Sequence, residues 1–366
     1  MIVGGKMKSN IITLSVEFDT KENEVLYDGE IWYRKNLIDM VIITADKIIL
    51  TCQRANKADE NFIFSPNSPA RNELYKAAVF YLCVTGAIPT VKRISLKNND
   101  DTVKIDKDRL TRQWKGIKIE IPLDKTTAAR CFFEDGKICY IAMTFFLKAQ
   151  MGSFSNDRFR AAWSGLNALY NPLTENNHDS DGLKKLRSLI KDNGLSTTEK
   201  YLEESGSKLW DYLQWHNFIQ TAERGCYKKK VAERLISSYY QDYEVYSHLA
   251  RYSLEQKARY DKQKDKRNEE QFVTDNQVKK LTDCLKKQEK ARKTDYREQA
   301  SYIITEYCYA MRNRTFHGAR PYPVFRTEND KEEIEEQMIT DVLLHTISDL
   351  LDSFDVLKER YAIHSI

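Results

Sequence analysis

The residues best suited to chemistry lie in the run Tyr309-Ala310-Met311-Arg312-Asn313-Arg314-Thr315-Phe316-His317-Gly318. Arg312 and His317 stand five residues apart at the end of a helix-like segment, and Asn313 supplies an amide that can orient either one. Arginine is a planar cation that does not titrate in proteins, whereas histidine is the side chain whose ordinary pKa lies near neutrality. Together they suit movement of a proton beside a phosphate that must be held and neutralised. Arg314 and Arg320 are further candidates for phosphate contacts close by.

These side chains need a helix to position them. Residues 302–314 present Ile303, Tyr307 and Met311 on one face, with Ile304 and Cys308 beside them. Gly318 and Pro321-Tyr322-Pro323 then stop the helix. Residues 334–357 read as the closing helix, with Met338, Val342, Ile347, Leu350, Leu351 and Phe354 inward. Helical periodicity already begins near residue 124. It gives one helix over 137–150 and another over 156–170, the second opened by Ser155 as N-cap. The stripe Phe159, Ala162, Trp163, Leu166, Leu169 and Tyr170 reads as its core face. Shorter helices are expected over 183–190, 207–213 and 230–243.

Residues 1–120 read as a mixed α/β module. Residues 11–18 alternate in the manner of a strand, and 37–52 read as a hairpin turning at Ala45-Asp46-Lys47. Pro69 opens a helix over 72–84 with Leu74, Ala77, Ala78 and Tyr81 on one face, and short strands are expected over 91–96 and 117–121. No spacing in this part is that of a metal site, no glycine-rich phosphate loop follows a strand, and no cofactor is expected. The fold class is therefore α+β: residues 1–120 form the mixed module, and 124–360 form a mostly helical bundle.

Residues 257–298 interrupt that bundle. They carry 14 Lys or Arg against 9 Asp or Glu, with Val278, Leu281 and Leu285 at helical spacing. A solvated helical insertion fits this composition. An electrostatic guide for a nucleic-acid backbone is the sharper reading, weakened by the interspersed acids.

Composition sets outer bounds. With 366 residues, 41% hydrophobic and 31% charged, the chain can bury two domain cores. A net charge of +4 permits nucleic-acid binding only through a local patch. The 7 cysteines form no close pair, as expected of reduced thiols in the cytoplasm. Neither a signal peptide nor a membrane span is expected.

The run ending in Arg312-Asn313-Arg314-Thr315-Phe316-His317 resembles the nuclease branch of the HEPN superfamily (higher eukaryotes and prokaryotes nucleotide-binding domains). There an Arg and a His, four to six residues apart, end a late helix of a four- to five-helix bundle. The segment Phe159-Arg160-Ala161-Ala162-Trp163-Ser164-Gly165-Leu166-Asn167-Ala168-Leu169-Tyr170 is similar to the second helix of several bacterial members. The resemblance implies an endoribonuclease with catalytic Arg312, His317 and Asn313, a homodimer whose two Arg–His pairs share one cleft, and a role in phage defence or growth arrest. An antitoxin or defence-system partner follows from the same likeness.

Metal-free cleavage of RNA has requirements these residues can meet. The ribose 2′-hydroxyl attacks phosphorus, a base takes its proton, an acid protonates the leaving 5′-oxygen, and a fixed cation meets the growing phosphoryl charge. His317 can serve the proton steps, and Arg312 can present its fork to the phosphate. One histidine does not readily act as base and acid together, which gives the dimer a mechanistic reason. Two competing readings are a non-catalytic nucleotide- or RNA-binding module and a HEPN partner of a separate nucleotidyltransferase. A binder needs no titrating histidine, and the chain has no convincing transferase motif.

Overall fold

Alternating apolar residues in the first hundred positions build a sheet that needs one covering helix. The computed structural model describes residues 10–34, 37–59, 61–99, 101–112, 114, 116–173, 179–205, 209, 296–316 and 331–361. The chain folds as two compact units, one of residues 1–152 with 351–366 and one of 153–350.

In the first unit, six antiparallel strands lie in the order β2-β3-β4-β1-β5-β6. They are β1 Asn10–Phe18, β2 Val25–Arg34, β3 Leu37–Thr44, β4 Lys47–Arg54, β5 Val91–Asn98 and β6 Asp101–Val103. Ile12, Leu14 and Val16 of β1, Val41 and Ile43 of β3, and Ile48 and Leu50 of β4 are fully or almost fully buried. That period of two defines one apolar face. Helix α1 (Pro69–Thr85) covers it with Leu74, Ala77 and Tyr81, and the Tyr81 hydroxyl donates to the Ala45 carbonyl at 2.7 Å. The Ser68 side chain caps the start of α1. Its end is closed by Gly86, which adopts φ 77° and returns its N–H to the Leu82 carbonyl at 2.9 Å.

The hairpin over 37–52 and the helix over 72–84 are thus present with extended ends. The strand expected over 117–121 is not: Lys118 makes one isolated bridge to Ala87, too little to nucleate a ladder. Beyond α2 (Lys107–Thr111) and α3 (Lys125–Ala129), helix α4 (Lys137–Met151) packs against α1 within this unit. A cluster of Tyr27, Phe80 and Phe132, with ring centroids 4.6–5.8 Å apart, fills the space beside them.

The second unit is helical in its described residues. It holds α5 (Ser155–Tyr170), α6 (Asp179–Asn193), α7 (Ser196–Ser205), α8 (Tyr296–Tyr302), α9 (Cys308–Phe316) and most of α10 (Lys331–Asp352). A π-helical turn, Ile303–Tyr307, joins α8 to α9. The expected core stripe of α5 is buried at every position, from Phe159 to Tyr170. Ser155 does not cap this helix. Phe154 holds the cap position without a side-chain bond, and the Ser155 hydroxyl donates to buried Glu336. The closing helix breaks at Ser353 into α10 and α11 (Phe354–Tyr361). The helices expected over 230–243 and in the charged segment lie outside the described residues, as does nearly all of 207–213. Among the described residues, no helix is long and apolar enough to cross a membrane.

One carboxylate ties α7 to α10. Asp349 accepts from the backbone N–H of Thr197 (3.0 Å) and Thr198 (2.9 Å) and from the Thr198 hydroxyl (2.8 Å). Asp349→Ala strands these donors in a buried site and should lower unfolding stability by about 2–4 kcal/mol. Urea denaturation checks this, and a change below about 0.5 kcal/mol would show the cap to be dispensable.

Candidate functional site

The site grows from two helices of the second unit. On α9, Met311 is buried whereas Arg312 and Asn313 are half-buried, so the polar pair sits where the helix leaves the core. The Arg312 Nη1 donates to the Asn313 Oδ1 at 2.9 Å. Asn313 therefore holds the arginine fork, one of the two orienting roles open to it. The Arg312 guanidinium lies 5.2 Å from the centre of the Phe316 ring, within cation–π range.

A second arginine reaches the same ring from α5. The Arg160 guanidinium stands 5.4 Å from the Phe316 centroid, and its Nη2 donates to the Thr315 carbonyl at 3.1 Å. That bond satisfies one of the carbonyls left open in the last turn of α9, where a cation also meets the negative end of the helix dipole. Two guanidinium groups from helices far apart in sequence thus approach one aromatic ring, which is itself 46% exposed.

Deeper in the same contact, the Trp163 ring tilts against Tyr309 at 6.2 Å and meets Tyr170 edge-on at 6.2 Å. The Trp163 Nε1 and Asn167 Oδ1 are buried without a hydrogen-bond partner. Arg160, Ser164 and Asn167 follow one another at helical spacing, so α5 carries a polar strip next to its core stripe. The strip combines donors, an acceptor and a cation beside the Arg312 turn.

Glu306 and Asp341 each face an arginine other than Arg312. Glu306 faces Arg187 at 3.7 Å, and Asp341 faces Arg158 at 3.9 Å. Tyr307 donates its hydroxyl to buried Glu335 and fixes the turn that precedes α9. His345 stacks on Tyr201 at 4.9 Å, and burial lowers its pKa, as for a packed histidine. The Arg314 backbone continues α9. The Arg314 side chain, His317 and Arg320 lie outside the described residues.

Arg160 is the functional candidate that spacing alone does not single out. It lies on α5, which the fold brings onto the Arg312 helix. No protein-family model, curated protein or solved structure matches the chain.

Proposed function

We propose that this chain is a metal-independent endoribonuclease of the HEPN type, acting in the cytoplasm through Arg312 and His317. The observation that supports this reading most is the meeting of Arg312 and Arg160 around Phe316, with Asn313 holding Arg312. A ring 46% exposed with two guanidinium groups near it offers a stacking surface for a base and donors for the adjoining phosphate, the combination that single-stranded RNA needs. His317 follows Phe316 in the chain and is the proton carrier in this scheme. The 2′-hydroxyl attacks phosphorus as its proton goes to one histidine. The leaving 5′-oxygen takes a proton from a second histidine, supplied by the other chain of a homodimer. Arg312, Arg314 and Arg320 meet the phosphoryl charge. The products carry a 2′,3′-cyclic phosphate and a 5′-hydroxyl. Growth arrest or phage defence, with an antitoxin or similar partner, is the setting that the resemblance favours.

The mechanism uses the ribose as nucleophile, so cleavage should persist in excess EDTA and spare DNA of the same sequence. End-labelled RNA and DNA, digested in parallel with and without chelator, check both points. DNA cut as fast as RNA would remove the internal nucleophile from the scheme. Activity lost in EDTA and restored by magnesium would replace it with a carboxylate-held metal.

A further inference from the structure

Three side chains of metal-binding type converge in the first unit. Asp39 on β3 and Cys52 on β4 sit one position beyond the Met40–Thr51 pair and share the face that α1 covers. Glu73 reaches the same place from the second turn of α1. One ligand atom from each lies within 4.8 Å of the other two, and all three residues are buried.

Glu73 is the informative member. It is fully buried, yet neither carboxyl oxygen accepts a hydrogen bond. Such a group is costly inside a protein unless something neutralises it. Arg54, two residues beyond Cys52, spends its fork on Asp39, with Nη1 donating to Oδ1 at 2.8 Å. Its approach to Glu73 is a looser 3.7 Å. Burial, followed by the neighbouring Asp39, raises the Glu73 carboxyl well above the ordinary carboxylate range. Burial, followed by Asp39, likewise pushes the Cys52 thiol well up.

We propose that Asp39, Cys52 and Glu73 bind one divalent transition-metal ion of the zinc class. One thiolate and two carboxylates suit a borderline-soft ion better than calcium or magnesium. On binding, a metal–sulfur bond replaces the Cys52 S–H and a metal–oxygen bond replaces the proton on Glu73, both protons passing to solvent. The three anionic ligands then face the dication, Arg54 and the buried Lys76. Arg54 keeps its bonds to Asp39 and orients that ligand, as outer-sphere partners of metal sites commonly do. Oxygen and sulfur ligands around a tetrahedral ion stand about 3.3–3.5 Å apart, so the three must draw in from within 4.8 Å by up to about 1.5 Å. A cleft of about 500 Å³, lined by Leu37, Arg54, Ser68 and Pro69 among others, reaches Arg54.

Cobalt(II) titrated into the chelator-stripped full chain tests the site by absorbance, with no reference to RNA cleavage. One equivalent per chain should give a sulfur-to-cobalt charge-transfer band in the near ultraviolet, and zinc(II) should displace it. Cys52→Ser should abolish the band. Glu73→Gln, which keeps the shape of the side chain, should keep the circular dichroism spectrum and weaken cobalt binding at least about ten-fold. If Cys52→Ser does not fold, Glu73→Gln decides. No cobalt retained by the natural sequence, a band that survives in folded Cys52→Ser, or unchanged affinity in Glu73→Gln would each overturn the proposal.

Discussion

His317→Ala should reduce RNA cleavage by about 10²–10⁴-fold, the usual contribution of a positioned acid or base. The rest of the second unit should be unaffected, because its described core is filled by α5, α9 and α10 side chains. Matched circular dichroism and unchanged mass in solution verify that point. Because the proposed mechanism divides base and acid roles between two chains, a mixed dimer of active and His317→Ala protomers should lose more than half of the activity. A mixed dimer with half the activity would confine each reaction to one chain, and a fully active His317→Ala protein would remove the histidine from the mechanism.

Arg312→Ala should cost about 10²–10³-fold, comparable to deleting one donor to a developing oxyanion. Arg312→Lys should recover only part of this, since an ammonium keeps the charge but not the planar fork that Asn313 holds. Arg160 touches the same ring and the last turn of α9, so Arg160→Ala should be milder and should not add simply to Arg312→Ala. Initial rates for the four members of this double-mutant cycle are the measurement. Strict additivity would mean that the two guanidinium groups act on separate parts of the substrate, and full activity in Arg312→Ala would discard the phosphate role.

Elements whose pattern is local were legible in the sequence. The hairpin over 37–52 alternates strongly, α1 begins at a proline after a serine cap, and the α5 stripe repeats with helical period. What failed either lacked a local signature or carried one that distant contacts overrode. Strand β2 lies at the sheet edge with Val25 exposed, so its alternation is too weak to declare a strand. Residues 117–121 looked like a strand because they are apolar in alternation, but the fold gives them one bridge and no ladder. Ser155 looked like a cap because its type suits one. Its hydroxyl instead serves Glu336, a residue 181 positions away that no local reading could pair with it. Convergence is the hardest case. Arg160 joins Arg312 through helix packing, and Asp39, Cys52 and Glu73 meet through strand pairing and a covering helix. Neither set has a meaningful spacing along the chain.

The π-helical turn before α9 governs how substitutions there should be interpreted. Ile303, Tyr307 and Met311 are all buried although they recur every four residues. In an uninterrupted α-helix, eight residues overshoot two turns by about 80°, which would swing Met311 out of that face. The wider turn absorbs the excess rotation. The azimuth of Arg312 is therefore set upstream, by residues that never meet the phosphate. Activity lost on altering Thr305 or Glu306 would report a rotated helix end, not a missing catalytic group.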